Sequence, residues 1–189
     1  MSRRLTVLLL GLALAFPAWS ADYVIDTAKD HAFIHFRIKH LGFSWLYGRF
    51  NEFEGTFSYD EAAPEKSAVD ITIDVASLDT NHAERDKHLR SDEFFDVERY
   101  PQATFTSTAF RPDGQGGGVL VGELTLRGVT RPVEIAVEQI GSGKDPWGGF
   151  RRGFQGRTTL ALRDFGIDYD LGPSAREAEV ILSIEGVRQ

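Results

Sequence analysis

Between Thr80 and Phe105 the chain reads TNHAERDKHLRSDEFFDVERYPQATF, and its first residues gather the groups that acid–base or metal chemistry uses. His82, Glu84, Arg85, Asp86 and His88 could form such a constellation. A zinc-binding helix, however, sets two histidines four residues apart on one face. His82 and His88 are six apart, which puts them on different sides of a helix. The same residues also suit a structural purpose. Asn81 is placed to cap a helix, with Glu84 three residues on completing a capping box. Glu84–Lys87, Glu84–His88 and Asp86–Arg90 have the spacing of surface ion pairs. Ser91 is placed to cap a further turn, with Asp92 and Glu93 at its positive end. Phe94, Phe95 and Val97 then add apolar surface before Pro101. The segment reads as a short helical insertion that folds its phenylalanines over an apolar opening. Arg85, Asp86 and His88 are its candidates for contact with a ligand's polar head.

Other chemical signals are weaker. His31 and His35 share strand parity and His40 does not, so the three read as solvated or rim histidines. Asp164-Phe165-Gly166 matches a kinase tripeptide without the phosphate loop, strand lysine or catalytic loop that give it meaning, and reads as a strand end. The chain has no cysteine, which excludes disulfides, thiolate nucleophiles and thiolate metal sites.

The elements that must position these residues have a period of two. Ile34, Phe36 and Ile38 alternate with polar residues, as do Phe53, Gly55, Phe57 and Tyr59, and Val69, Ile71, Ile73 and Val75. The pattern returns at Ala103–Phe105, Leu120–Leu126, Val133–Val137, Leu160–Leu162 and Val180–Ile184. Turn chemistry separates the runs at Ala63-Pro64-Glu65, Asp113–Gly118, Arg127–Thr130, the glycine-rich stretch Gly141–Gly149 around Trp147, and Leu171-Gly172-Pro173. Pro132 belongs at the beginning of its strand. About eight antiparallel strands at short spacing predict a sandwich or barrel, and a closed barrel holds either packed side chains or a ligand.

The N-terminus is expected to be a leader. Arg3 and Arg4 precede an apolar run from Leu5 to Phe16 that is too short for a stable span, and Ala18-Trp19-Ser20 offers a cleavage point before Ala21. Residues 1–20 are thus expected to be a signal peptide for general secretion to the periplasm, and residues 21–189 a single domain. The 189-residue chain carries a formal charge of −7. Removing the two leader arginines makes that −9, a poor balance for nucleic-acid binding.

Several segments together resemble the YceI family. They are Asp22–Asp26 (DYVID), Phe33–Phe50 (FIHFRIKHLGFSWLYGRF), Asp79–Arg90 (DTNHAERDKHLR), Tyr100–Thr106 (YPQATFT), Asp145–Gly149 (DPWGG), Asp164-Phe165-Gly166 and Asp170–Ser174 (DLGPS). Their order and spacing are specific, and they run over essentially all of residues 21–189. The resemblance implies an all-β, antiparallel, eight-stranded lipocalin-like barrel with a short helical insertion. It implies a hydrophobic cavity holding the prenyl chain of a quinone-like or prenyl-phosphate-like lipid, no cofactor and no catalysis. The expected lining is Ile34, Phe36, Ile38, Phe53, Phe57, Ile71, Ile73, Phe94, Phe105, Leu124, Leu126, Ile135, Val137, Trp147, Leu160 and Leu162. Packed side chains would satisfy the same pattern.

Two other readings stay open on sequence. One is an enzyme acting on a lipid head through His82, Asp86 and His88. The other is a non-enzymatic partner of a membrane redox complex, docking through Trp45 and Trp147. The sequence also leaves open a homodimer and a transient contact with a membrane or membrane protein.

Overall fold

The computed structural model describes residues 20–29 and 31–189. The expected leader lies outside the described residues except for Ser20. Eleven strands and one helix follow in order: β1 (Ala21–Ile25), β2 (Phe33–His40), β3 (Ser44–Phe50), β4 (Phe53–Tyr59), β5 (Ala68–Asp74), β6 (Leu78–Asp79), α1 (Ala83–Arg90), β7 (Gln102–Pro112), β8 (Gly118–Leu126), β9 (Val129–Lys144), β10 (Phe150–Ala161) and β11 (Glu177–Arg188). All ladders are antiparallel, and β1-β4-β5-β7-β8-β9-β10-β11 closes into an eight-stranded barrel through the β1–β11 pairing.

Eight alternating runs become eleven strands because three positions in the barrel wall are interrupted. One half of β11 pairs with β1 (Ile25 opposite Gly186) and the other half with β2 (Phe33 opposite Ser183), so β1 and β2 are one strand broken by a bulge between Ile25 and Phe33. In the same way β3 pairs β2 while β4 pairs β1, with a break at Asn51-Glu52. The third break, between β5 and β6, is a single helical turn at Val75–Ser77, and Asp74 accepts the Ala76 amide there at 2.8 Å. Such breaks bend strands and re-aim side chains without opening the wall.

Turn residues set the remaining connections. Arg127 and Gly128, with φ of 51° and 71°, make a two-residue turn between β8 and β9. Pro132 is the fourth residue of β9, opposite Glu123, in a stretch that β10 no longer pairs. Its missing N–H therefore faces no neighbour in the sheet. The expected loop at Gly141–Gly149 is shorter than its glycines suggest. β9 runs on to Lys144, and the loop contracts to Asp145–Gly149, where the Asp145 carboxylate accepts the amides of Trp147 and Gly149 at 3.0 and 2.8 Å.

Two buried clusters frame the interior. Tyr23, Ile25, Ala32, Phe57 and Tyr59 pack at one end, with Tyr23 and Phe57 stacked 4.7 Å apart. Phe105, Phe110, Leu120 and Ile135 pack along β7–β9. At the first end Arg152 is 3% exposed. Its Nη1 donates to Gln139 at 2.8 Å, its guanidinium lies 4.2 Å over the Tyr59 ring, and it pairs with Glu61. Arg152, the stacked rings and Tyr59 form a plug that closes this end of the barrel.

Candidate functional site

Between the clusters lies a cavity of about 490 Å³, within the roughly 300–1,000 Å³ range of small-molecule sites. Its wall is built by the alternation of the strands, which brings every second side chain to the interior. Ile34, Phe36, Ile38, Phe57, Ile71, Ile73, Phe94, Phe105, Leu124, Leu126, Ile135, Val137, Leu160 and Leu162 all line it. Two close approaches give it a smooth surface. A Cβ at Gly48 would lie 2.2 Å from the Phe36 ring, and one at Gly122 would lie 2.4 Å from the Phe105 ring. Only glycine lets each ring lie flat against the opposite strand.

Two expected lining residues are elsewhere. Trp147 is 77% exposed at the plugged end of the barrel, beside Lys29 and Arg151. The tight Asp145 turn faces it away from the interior. Phe53 packs with the Tyr23–Ile25 cluster. There Ile25 comes within 3.0 Å of where a Cβ on Gly55 would stand, filling the space beside Phe53 on the same strand face.

The opposite end carries the insertion. Phe94 is 4% exposed, and Leu89, Phe94 and Phe95 all line the cavity. Phe94 meets Tyr169 at 4.8 Å and His88 at 4.9 Å, while Phe95 meets Phe50 at 6.0 Å. Arg127 fixes this end by donating to the carbonyls of Asp92, at 2.7 Å, and Gly166. Tyr47, His88 and Tyr169 line the cavity and are 54%, 44% and 44% exposed in turn. They mark the mouth, where Thr80 and Arg85 supply further polar groups.

The local contacts of α1 differ from the sequence expectation. His82 is the N-cap, its Nδ1 accepting the Arg85 amide at 3.2 Å. Asn81 instead takes a left-handed turn, φ 60°, with its amide donating to Asp79 at 2.7 Å. The chain needs that turn to leave β6, and Asn is one of the few residues that tolerates it. Ser91 caps the C-terminus of α1, its hydroxyl donating to the His88 carbonyl at 2.7 Å. The expected i,i+4 pairs are replaced. Arg90 donates to the carbonyls of Ala76, at 2.8 Å, and Leu78, and His88 contacts Glu93 at 2.5 Å.

Of the three head-group candidates, Arg85 and His88 reach the cavity and Asp86 does not. Asp86 is buried and accepts from the Thr80 amide at 2.9 Å and from the Thr80 hydroxyl. Arg85 donates from Nε to the Thr80 hydroxyl at 2.7 Å and from Nη2 to the Thr80 carbonyl at 2.8 Å, and its Nη1 makes no hydrogen bond among the described residues. His82, Asp86 and His88 thus serve three separate contacts.

His31 does acquire carboxylate neighbours, which its sequence surroundings did not reveal. Its Nδ1 is 3.1 Å from Asp26 and 3.6 Å from Glu185. The position of a cation between them is taken by Arg151, whose Nη1 donates to Asp26 and Glu185 at 2.6 and 2.5 Å and whose Nε donates to Asp145 at 2.8 Å. These bonds hold the Asp26 and Asp145 carboxyls below their usual pKa and raise that of Arg151. The cluster ties the β1–β2 bulge to the Trp147 loop and β11.

Sequence reasoning missed the rest of the wall. Leu46, Phe50, Phe110, Phe154, Val180, Leu182 and Ile184 also line the cavity. Val180, Leu182 and Ile184 had the alternation needed to find them, and Arg152 shares inward parity with Phe154 on β10.

A closed antiparallel barrel with an apolar interior and a polar-edged mouth defines a class of small-molecule-binding barrels. Within that class the chain belongs to the YceI-like domain family, whose description matches residues 23–187. A UPF0312 protein of Ectopseudomonas mendocina is 56% identical over 186 residues, covering 98% of this chain and 97% of its own. One from Pseudomonas aeruginosa (strain LESB58) is 55% identical over the full length of both. Among solved structures, BcnA of Burkholderia cenocepacia superposes with a TM-score of 0.76 at 25% identity, over 85% of this chain and 98% of its own. A polyisoprenoid binding domain from Saccharophagus degradans superposes with a TM-score of 0.61 over 88% and 98%, and at 18% identity this likeness shows the shared fold.

Proposed function

We propose that the chain binds a polyisoprenoid lipid, with the prenyl tail in the barrel cavity and the polar head at the mouth beside Arg85 and His88. The observation that carries this reading is the segregation of chemistry. The cavity wall along the barrel strands is mainly aliphatic and aromatic, interrupted by Ser58, Gln155 and Thr158, and Arg85 and His88 stand at the α1 end. A prenyl tail offers only hydrocarbon, and each methylene-equivalent removed from water contributes about 0.8 kcal/mol. A mainly apolar wall suits such a tail at many registers. The free Nη1 of Arg85 suits a head of the prenyl-phosphate or prenyl-quinone kind. The name of the Saccharophagus degradans neighbour, which has the same fold, adds support.

Binding in an enclosed cavity is the activity of a holder or carrier, and we infer transport or sequestration in the periplasm from the expected leader. Three separate contacts at His82, Asp86 and His88 favour binding over catalysis. A titration with prenyl quinones of increasing chain length tests the reading. Affinity should rise with each isoprene unit until the cavity is full and then level off. Affinity independent of tail length would place the ligand outside the barrel.

A further inference from the structure

The far end of β2 and β3 carries a surface that folding does not explain. The two strands are joined by the three-residue loop Leu41-Gly42-Phe43, in which Leu41 and Gly42 have φ of 52° and 81°. A turn of this hand favours Asn or Gly, and a leucine there is held in a conformation its side chain opposes. Nothing in the packing offsets that, since Leu41 is 61% exposed and its neighbour Phe43 is 88% exposed. Backbone strain at an exposed apolar residue points to a use outside the fold.

Behind this apex the outer strand faces carry aromatics and cations together. Arg37 lies 4.3 Å over the Trp45 ring and Lys39 lies 5.6 Å from it, and Arg37 donates to the Tyr47 hydroxyl at 3.2 Å. Residues 31–50 contain no Asp or Glu, in a chain whose net charge is −7. Arg37 and Arg49 find counter-charges on other strands, at Glu179 and Asp79, whereas Lys39 and His40, nearest the apex, form no ion pair among the described residues. The inner face of the same hairpin, at Ile38 and Leu46, is cavity wall, and Tyr47 stands at the mouth.

We propose that this hairpin docks on a lipid bilayer. Leu41 and Phe43 enter the acyl boundary, while Trp45, Tyr47, Lys39 and His40 sit at head-group level. An apolar apex backed at once by an aromatic and a cation side by side, Trp45 opposite Lys39, matches the layering of a membrane interface, where acyl chains give way to head groups that take both. Docking at this point sets the mouth against the bilayer, so a tail passes between membrane and cavity with little exposure to water. This role in exchange rests on the carrier reading; the docking itself does not require a filled cavity.

The test uses the full chain with Trp19→Phe and Trp147→Phe, so that Trp45 alone reports. It is titrated with phosphatidylethanolamine/phosphatidylglycerol vesicles brominated in the acyl chains, with no prenyl lipid present. The expected result is quenching of Trp45, with the midpoint raised at least tenfold by Phe43→Asp and by Leu41→Asp. Lys39→Glu should weaken binding to these vesicles more than to pure phosphatidylcholine. Absence of quenching, or unchanged midpoints in both apex variants, overturns the proposal. So does burial of Trp45 that tracks protein concentration with a doubled mass, which assigns the hairpin to a second copy. Prenyl quinone uptake from detergent is measured in parallel. Uptake retained in Phe43→Asp shows an intact barrel, and its absence in the parent refutes the carrier reading while leaving docking to stand or fall on the quenching.

Discussion

Leu160 and Ile135 both line the cavity, but they stand in different mechanical surroundings, and that difference separates binding from stability. Ile135 is 7% exposed and belongs to the cluster with Phe105, Phe110 and Leu120. Leu160, on β10 opposite Ala178, belongs to neither buried cluster. Replacing Leu160 with Trp adds about six heavy atoms, and roughly half of them take space that a tail would fill. Three lost methylene-equivalents at about 0.8 kcal/mol each come to about 2.4 kcal/mol, a roughly fiftyfold weaker Kd for a prenyl quinone. The melting temperature of the empty barrel should move by no more than about 4 °C, the equivalent of about 1 kcal/mol in a domain of this size. Ile135→Trp meets packed neighbours and should lose about 1–3 kcal/mol of stability as well as affinity. The assay is quinone titration by fluorescence quenching beside thermal denaturation of the same samples. Unchanged affinity in Leu160→Trp, with the fold intact, would refute the claim that the ligand occupies this cavity.

Other changes probe the wall, the mouth and the far end. Gly122→Ala brings a methyl within 2.4 Å of the Phe105 ring and 2.6 Å of the Thr106 carbonyl, so both ring and strand must shift; a loss of about 1–3 kcal/mol in denaturant unfolding and weaker uptake are expected. Asp86→Asn removes the carboxylate that holds Thr80; a local loss of about 1–3 kcal/mol should appear as faster hydrogen exchange across α1, with faster release of bound lipid. The depressed pKa values of Asp26 and Asp145 come chiefly from Arg151. Their stabilising contribution is therefore complete above the ordinary carboxylate pKa of about 3.9 and is lost as pH falls through the lower folded values. Melting temperature should drop over that acidic range, and Arg151→Met should flatten the drop while lowering stability at neutral pH.

The period-two runs carried most of the fold. Ile34, Phe36 and Ile38 could be assigned to one wall because a strand alternates whatever its neighbours are. In residues 21–40 alternation showed only the Ile34–Ile38 run; that β1 belongs to the same broken strand is seen only in the pairing of both with β11, far along the chain. At the site, alternation found the lining but not its limits. Phe53 has the right parity and is claimed by the Tyr23–Ile25 cluster, and Trp147 has the right chemistry on a turn that faces outward. The charged helix was legible as an insertion, while its contacts were not. Local spacing suggested i,i+4 pairs, yet Asp86, Arg90 and His88 all found stronger partners in the backbone or in residues beyond α1. Arg152 had inward parity, but burying a charge is costly unless it is paired, and Glu61 and Gln139, its partners, lie on distant segments.

The central claim is that the cavity holds a prenyl chain. Native mass spectrometry of protein taken from its own cells, followed by solvent extraction of the same sample, tests it most directly. The expected result is a one-to-one adduct that extracts as a polyisoprenoid lipid and whose mass identifies the head at the mouth. A bare chain mass, together with no uptake of added prenyl quinone, would contradict it.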